Sequence, residues 1–252
     1  MWRKLLLVLL WIPLISVAEE IQFSAGIESF QWEEFDNNGR KLLREAGVRY
    51  VAEAVGEKGV GQNLAMDFRG RLYSGDVDYD GETLGGKPVT TDTGYNGYRL
   101  EMGLTHITAI HLNQSNDEWR HRIAFGVDSW SRDLQDSALS DGTPVTGYEE
   151  QYTATYVTVG ATYVRNMAWA LRLGAKLPFF TTEKLKLGGL DLTLHPEGQL
   201  SLFAGVDIPI NAQWQIDLRY DSYRFAQSDP QFGYQQPESH QTTFGAAVSY
   251  RF

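Results

Sequence analysis

The sequence predicts an all-β protein, a closed up-and-down antiparallel β-barrel of ten strands that crosses a membrane. Three observations predict this class. Apolar and polar residues alternate along most of the chain with the period of a β-strand, and not with that of an amphipathic helix. Charged residues keep to one of the two faces of these segments. The connections between the segments are alternately long and short.

The composition excludes several other classes. The 252 residues include 25 Gly but no Cys, which rules out disulfides, thiolate metal sites and a cysteine nucleophile. The formal net charge of −10 disfavours nucleic acid as a partner. The mean hydropathy of −0.33 is too low for a helical membrane protein, whose spans each need about 20 consecutive apolar residues.

The first 18 residues predict a secretory signal peptide. Arg3 and Lys4 form its basic start, Leu5 to Ile15 its apolar centre, and Ser16-Val17-Ala18 a cleavage site of small residues. We expect residues 19–252 to form one barrel domain. Removal of the signal peptide leaves 20 Lys and Arg against 32 Asp and Glu, a net charge near −12.

Ten alternating segments follow one another along the chain, and each predicts a strand whose apolar side chains share one face. In chain order the apolar faces are Ile21-Phe23-Ala25-Ile27, Val48-Tyr50-Ala52-Ala54, Leu64-Met66-Phe68-Gly70-Leu72, Tyr98-Leu100-Met102-Leu104, Ile123-Phe125-Val127, Val157-Val159-Ala161-Tyr163, Trp169-Leu171-Leu173-Ala175-Leu177, Leu200-Leu202-Ala204-Val206-Ile208, Trp214-Ile216-Leu218-Tyr220 and Phe244-Ala246-Val248-Tyr250-Phe252. An even number of strands places both termini at one end of the barrel.

The opposite faces of these segments carry the charged residues. An Arg or Lys facing lipid at the bilayer midplane would cost about 2–4 kcal/mol, so we expect the apolar faces to contact lipid and the charged faces to line the interior. Charges enclosed there must be paired, because an unpaired buried charge is costly. The alternative is a soluble sandwich or lipocalin-like barrel, which has the same alternation with its faces inverted. The predicted interior charge network consists of Arg49, Glu53, Asp67, Arg69, Arg71, Arg99, Glu101, Arg122, Asp128, Arg172, Lys176, Asp207, Asp217, Arg219 and Asp221.

The connections and the aromatic residues also fit a membrane barrel. Long connections are predicted at residues 35–45, 78–95, 133–148, 178–198 and 226–239, and short ones at 165–167 and 209–213. Two groups of aromatic residues predict the interfacial girdles of such a barrel. The group beside the short connections is Trp119, Tyr163, Trp169, Trp214 and Tyr250, and the group toward the long ones is Phe30, Trp32, Tyr50, Tyr98 and Tyr220.

The last segment carries a more specific signal. Phe244, Val248, Tyr250 and Phe252 lie at alternate positions, and the aromatic Phe252 is the last residue. This segment resembles the C-terminal signature of bacterial outer-membrane β-barrel proteins. The resemblance implies insertion by the barrel-assembly machinery into the outer membrane of a Gram-negative bacterium, among its lipids and lipopolysaccharide. It also implies that the short turns are periplasmic and the long loops extracellular.

A calcium site is one candidate for function. Asp76, Asp78 and Asp80 alternate before Gly81, and Glu82 follows, as at the start of a calcium-binding loop. The twelfth position of that pattern should be Glu and is Lys87 instead, so an ordinary turn at Asp80-Gly81 is the competing interpretation. We expect either a surface Ca²⁺ held by Asp76, Asp78, Asp80 and Glu82 or that turn, and no other cofactor.

A protease site is not predicted. The omptin proteases resemble this chain in architecture, and their site needs an Asp pair and an Asp-x-His pair at the rim. Asp76 and Asp78 could supply the first pair. The second is missing, because Asp191 lies four residues before His195 and His240 has no Asp two residues earlier. We therefore assign no catalytic residue.

A lipid-modifying hydrolase would need a Ser–His pair near the outer rim. His106, His111 and His121 lie toward the short connections instead, where interfacial polar residues are common. We therefore expect a structural or surface-binding role through the extracellular loops, with an unidentified extracellular ligand. A narrow solute pore is the alternative, although a barrel of about eight strands is already filled by its side chains. A rim hydrolase comes third.

Overall fold

The computed structural model describes residues 18–83, 85–110, 117–166, 168–187 and 190–252. The predicted signal peptide up to Val17 and the predicted interfacial His111 lie outside these ranges. No helix of the described residues is long and apolar enough to cross a membrane. In chain order the strands are β1 (Glu20–Phe35), β2 (Lys41–Gly61), β3 (Leu64–Glu82), β4 (Pro88–Ile110), β5 (Asp117–Leu134), β6 (Ser137–Ala138), β7 (Pro144–Val145), β8 (Glu149–Arg165), β9 (Trp169–Leu187), β10 (Leu190–Leu194), β11 (Glu197–Gln199), β12 (Ser201–Pro209), β13 (Trp214–Ala226) and β14 (Glu238–Arg251).

Ten of these strands form a closed antiparallel ring, which confirms the predicted barrel and its strand number. The ring runs through β1, β2, β3, β4, β5, β8, β9, β12, β13 and β14. It closes where β14 pairs with β1, from Gln22 opposite Arg251 to Phe35 opposite Glu238. Closure pairs the backbone of every strand on both sides, as a strand surrounded by lipid requires. Of the short strands, β6 pairs with β7, β10 with β9, and β11 with β13.

The two ends of the barrel differ. The turn end has the short connections at 62–63, 166–168 and 210–213. Both ends of the ring meet there, and Arg251 forms an ion pair with Glu20 at 2.9 Å. The loop end has the connections at 36–40, 83–87, 135–148 and 227–237.

An apolar belt surrounds the half of the barrel nearer the turn end. Its side chains point outward and are accessible, as expected where the surroundings are lipid and not water. On the turn side it is bordered by aromatic residues, where Trp119 and Trp169 lie 5.2 and 5.6 Å from Tyr163 between ring centroids. The belt includes Phe23, Ile27, Val48, Leu72, Met102, Ile123, Phe125, Val159, Leu173, Leu202, Leu218, Phe244 and Val248.

The predicted insertion signal lies on the outer face of β14. Phe244 and Val248 belong to the belt, and Phe252 is 73% exposed. Tyr250 packs against Trp214 at 4.8 Å, and Phe252 lies edge-on to Phe23 at 5.7 Å. These rings continue the aromatic row at the turn end.

The polarity of the two strand faces is reversed toward the loop end. On β1, Phe23 and Ile27 point outward, whereas Phe30 and Trp32 point inward and are buried. The outer face of the barrel wall is thus apolar near the turn end and polar near the loop end. The prediction that Phe30 and Trp32 belong to an outer girdle is therefore wrong.

This exchange also corrects the predicted loops. The first loop spans residues 36–40 and not 35–45, and the second spans 83–87 and not 78–95. Most of 178–198 is strand as well, in β9 and β10. The strands continue past the belt because alternation persists, with Val77 and Tyr79 now buried inside the barrel.

Candidate functional site

The interior of the barrel has two zones of different chemistry. Toward the loop end, a buried cluster that we call the aromatic plug fills the cross-section. Toward the turn end lies a polar cavity of about 990 Å³, whose lining includes the turn residues Asn166, Asn211 and Gln213. We call it the turn-end cavity. The plug consists of Phe30, Trp32, Tyr73, Tyr95, Trp130, Tyr152, Tyr156, Tyr223 and Phe225.

The plug is held together by ring stacking. The rings of Trp130 and Tyr152 are parallel at 5.0 Å, and Trp32 lies 5.4 Å from Tyr152. Phe225 stacks on Tyr223 at 5.6 Å and reaches Trp130 at 6.4 Å. Stacked aromatic pairs add about 0.5–1.5 kcal/mol each beyond the burial of their area. Rings from β1, β5, β8 and β13 therefore brace opposite walls of the barrel.

Two glycines make room for the rings. The Tyr73 ring lies against Gly97 and the Tyr156 ring against Gly126, each on the neighbouring strand. A Cβ at either glycine would lie 2.4 Å from a ring carbon, which is too close for any side chain. Gly97 and Gly126 are therefore required by the plug and not by a turn.

Arg132 is the charged centre of the plug. It is fully buried and contacts three glutamates, Glu34 at 3.2 Å, Glu45 at 2.9 Å and Glu150. Its guanidinium also lies 5.1 Å from the Trp32 ring centroid. Sequence reasoning missed Arg132 because it assigned this part of β5 to the edge of a loop. The alternation of the strand could have revealed it, because Arg132 is four residues from Asp128 and therefore points to the same face of β5.

The glutamates around Arg132 have further donors. Glu34 accepts hydrogen bonds from Trp32 Nε1 at 2.8 Å and from Gln236 Nε2 at 3.1 Å. Glu45 accepts one from Thr93 at 3.0 Å. A buried carboxylate needs such donors because burial removes its water. The three glutamates and Arg132 thus form one polar network inside an aromatic shell.

A layer of ion pairs separates the plug from the turn-end cavity. Arg99 contacts Asp128 and Asp221, both at 2.8 Å. Lys176 contacts Asp221 at 2.9 Å, and its ammonium lies 3.2 Å from the Tyr223 ring centroid. This layer joins the aromatic floor of the plug to the charged wall of the cavity.

The wall of the turn-end cavity is charged in nearly equal numbers of both signs. Asp67 contacts Arg69 at 3.0 Å and Arg122 at 2.6 Å, and Arg122 contacts Glu101 at 3.0 Å. Pairing of this kind is what enclosed charges require. The cationic lining residues are Arg69, Arg71, Arg99, Arg120, Arg122, Arg172, Lys176, Arg219 and Arg251, and the acidic ones are Glu20, Glu28, Glu53, Glu57, Glu101, Glu118, Asp207, Asp217 and Asp221.

The structure brings together all fifteen residues of the predicted interior charge network. They lie on the inner face of the barrel, and each has an oppositely charged partner within 4.0 Å. The pairs not yet described are Arg49 and Arg71 with Glu28, Arg172 with Asp207 at 2.7 Å, and Arg219 with Glu53 at 2.6 Å and Asp217 at 3.7 Å.

The predicted calcium loop is not formed. Asp76, Asp78, Asp80 and Glu82 lie at alternate positions on the outer face of β3, which runs on to Glu82 without a turn at Asp80-Gly81. A straight strand spreads its carboxylates along the wall and does not wrap them around an ion. Among the described residues, no group of three or more His, Cys, Asp or Glu is arranged to hold a metal ion.

The loop-end histidines contact a backbone oxygen and a carboxylate. His195 Nδ1 lies 3.3 Å from the backbone oxygen of Thr181, and His240 Nε2 lies 3.0 Å from Glu238. His106 and His121 are cross-strand neighbours on β4 and β5 at the turn end. None of these four has a serine or threonine nucleophile beside it together with an orienting acid in the described part of the chain.

The conformation of the first loop is held by the carboxylate of Asp36, which lies in the loop itself. The carboxylate of Asp36 accepts the backbone N–H groups of Arg40 and Asn38, both at 2.9 Å, and these bonds lower the pKa of Asp36. Gly39 supplies the positive φ of 75° that closes the turn. Arg40 then reaches Glu82 at 2.7 Å and links the loop to the end of β3.

Comparison with solved structures identifies the class of fold. The chain is similar to the outer-membrane protease OmpT from Escherichia coli, with a TM-score of 0.52 and 9% identity over 94% of this chain and 98% of that one. The transport unit of the autotransporter AIDA-I from Escherichia coli follows with a TM-score of 0.47 and 9% identity, over 94% and 91% of the two chains. No protein-family model and no curated protein matches the sequence.

The chain has the fold of the bacterial outer-membrane β-barrel proteins. The similarity to OmpT carries this conclusion, together with the closed ring of ten strands. At 9% identity it shows the fold alone. The Asp-x-His pair expected of an omptin protease is absent from the sequence.

Arg132 should be the most important single charge for stability. In Arg132→Met, three buried glutamates lose their cation, so we expect the free energy of unfolding to fall by about 3–5 kcal/mol. The measurement is denaturant unfolding of the refolded protein in lipid vesicles. Arg40→Met is the matched control, because its ion pairs are exposed and screened by water, so its loss of stability should be far smaller. Equal losses in the two variants would contradict this account of the plug.

Proposed function

We propose that the protein is an integral outer-membrane barrel that does not conduct solutes and whose rigid loop end serves a structural or surface-binding role. The observation that carries this proposal is the aromatic plug. It fills the barrel from wall to wall, and Arg132 within it is held by three glutamates. A lumen closed in this way offers no continuous polar path.

Placement in the outer membrane is part of the proposal. The apolar belt, its aromatic border and the fold support it. In this arrangement the lipid and lipopolysaccharide of the outer membrane surround the belt, the wall above it projects into water, and the turn end faces the periplasm. The outward row Phe244, Val248, Tyr250 and Phe252 would be read by the barrel-assembly machinery, and residues 1–18 would direct secretion.

The loop end projects beyond the belt as a stiff wall. On β3 the last belt residue is Leu72, and the strand continues for ten more residues to Glu82. At about 3.3 Å per residue this part of the strand is about 33 Å long. A rigid, plugged wall with a first loop of only five residues, 36–40, suits the presentation of a fixed surface.

The outer surface of this wall is acidic on one side. Asp78 and Asp92 are cross-strand neighbours, and Asp76 and Asp133 flank Gly94. Together with Asp80 they form what we call the acidic wall, and none of the five has an ion-pair partner among the described residues. Arg44 lies opposite Asp80 on β2, so the surplus negative charge is carried by the other four aspartates, and such a surplus attracts the opposite charge. We therefore infer a positively charged extracellular partner.

A pore is the second candidate, because the turn-end cavity already provides about 990 Å³ of open space in the lumen. Planar-bilayer recording separates the two functions. We expect no conductance above the lipid background for the unmodified protein. In the triple variant Trp32→Ala, Trp130→Ala, Tyr152→Ala the stack is removed, and a narrow conductance should appear.

The control for this recording is the triple variant Phe125→Ala, Phe179→Ala, Phe244→Ala, which removes three aromatic rings from the outer wall. It should show no conductance above the lipid background. Heat-modifiable migration in gels verifies that each variant is folded. Steady conductance from the unmodified protein would overturn the proposed closed lumen whatever the variants do.

The acidic wall is tested by the binding of a lysine decamer to the protein in nanodiscs, measured by surface plasmon resonance at low and high salt. The variant Asp76→Asn, Asp78→Asn, Asp92→Asn should bind at least about tenfold more weakly at low salt, because exposed charges act over about 10 Å. The matched control, Asp141→Asn, Glu197→Gln, Asp229→Asn, removes the same charge elsewhere on the loop end. If both variants lose binding equally, net charge and not the acidic wall is responsible.

A further inference from the structure

The part of the aromatic plug around Arg132 holds more acid than base. Glu34, Glu45 and Glu150 contact Arg132, and a fourth glutamate, Glu183, points inward from β9. All five side chains are buried. If every carboxyl group were ionised, four negative charges would face one positive charge. A buried charge without compensation is costly, so an excess of this kind favours the uptake of protons.

Glu183 is the member of this group that has no cation beside it. It is 1% exposed, and no Lys or Arg of the described ranges forms an ion pair with it. Its Oε2 atom is buried and has no hydrogen-bond partner. Tyr152 lies directly opposite it on β8. An ionised Glu183 would carry the cost of an unsatisfied buried charge, whereas a neutral carboxyl group needs no counter-charge.

Glu150 is the second poorly compensated member. It lies two residues before Tyr152 on the inner face of β8, diagonally across from Glu183. It shares Arg132 with two other glutamates, and its other donor is the Tyr152 hydroxyl at 3.3 Å. Burial raises the pKa of Glu150 to about 7, although the charge of Arg132 opposes this shift. Burial, and next the charge of Glu150, raise the pKa of Glu183 well above its ordinary value.

The other ionisable groups that the structure describes around these two carboxyls do not supply a second cation. Burial raises the pKa of the neighbouring phenols, so they stay neutral at ordinary pH. Arg49, which also contacts rings of the plug, is paired with Glu28. Lys184 and Lys186 point outward from β9. The groups that face Glu150 and Glu183 are Glu34 on β1, Glu45 on β2, Tyr79 on β3, Tyr95 on β4, Arg132 on β5, Tyr148 just before β8 and Tyr152 on β8.

We propose that the aromatic plug closes around a proton held by Glu150 and Glu183, and that alkaline pH loosens the plug by removing this proton. With the proton in place, Glu183 is neutral and Glu150 remains with Arg132. Without it, two like charges repel each other across β8 and β9 with no cation of their own.

The direction of the effect follows from the two pKa values. The folded barrel binds the proton more tightly than the unfolded chain, in which glutamate has its ordinary pKa of about 4.3. The stability that the proton contributes is therefore fully present in acid. It is lost as the pH rises through the raised pKa values of Glu150 and Glu183.

The pH dependence of unfolding tests this inference. Denaturant unfolding of the refolded protein in lipid vesicles is measured at about pH 6 and about pH 9, on either side of the raised pKa of Glu150. The unfolding equilibrium constant should rise at least about tenfold between them, because only the folded state holds the proton. An equilibrium constant that does not rise over this range would overturn the proposal.

Two variants assign the effect to these residues. In the double variant Glu150→Gln, Glu183→Gln both carboxyl groups become neutral amides of similar shape, so the rise should shrink to less than about threefold. Glu149→Gln is the matched control, because Glu149 is exposed one residue before Glu150, and it should keep the full rise. A double variant that responds as strongly as this control would place the titration elsewhere and refute the proposal.

Infrared spectroscopy detects the proton itself. At about pH 6 the folded protein should show the C=O band of a protonated carboxyl group, and this band should weaken toward about pH 9. The band should also be weaker in Glu183→Gln and unchanged in Glu149→Gln. Absence of such a band from the unmodified protein at about pH 6 would overturn the proposal, and this measurement decides the matter if the double variant does not fold.

Discussion

Each strand of this barrel must match two different surroundings along its length. Near the turn end the outer face meets lipid, which tolerates no charge, so the ionisable groups are confined to the lumen. Near the loop end the outer face meets water, and the apolar groups move inside. Because side chains alternate with a period of two, the exchange needs no break in the strand. On β1, Ile27 still points outward and Phe30 already points inward.

The two zones of the interior follow from this exchange. Within the belt the lumen receives charged side chains, and they are stable there because each has a partner, as Asp67 has in Arg69 and Arg122. Above the belt the lumen receives aromatic side chains, which pack as the core of a soluble barrel does. Arg132 lies inside that core and depends on Glu34, Glu45 and Glu150 for its charge balance. Closure at one end and a polar cavity at the other are consequences of the same pattern.

The sequence alone was sufficient to predict the strand number, the closure and the inward direction of residues such as Arg99 and Asp221. The reason is that apolar residues occupy every second position throughout each belt segment. It was insufficient above the belt. There, the apolar residues, such as Tyr79 and Trp130, lie on the inner face of the strand. A search for apolar residues on the outer face alone therefore ends each strand too early. The acids Asp76 to Glu82 were therefore taken for a loop, although they form the outer face of β3.

The change of faces along a single strand is the feature on which this account rests most directly. The chain has no cysteine, so single cysteines can be placed along β3 from Met66 to Asp80 and labelled with a fluorophore in vesicles containing brominated lipid. Quenching should occur at Met66, Phe68, Gly70 and Leu72, should be weak at Asp67, Arg69 and Arg71, and should be absent at Ser74, Asp76, Asp78 and Asp80. Quenching at Asp67, Arg69 and Arg71 as strong as at Met66, Phe68 and Leu72, or equal quenching along the whole strand, would contradict it.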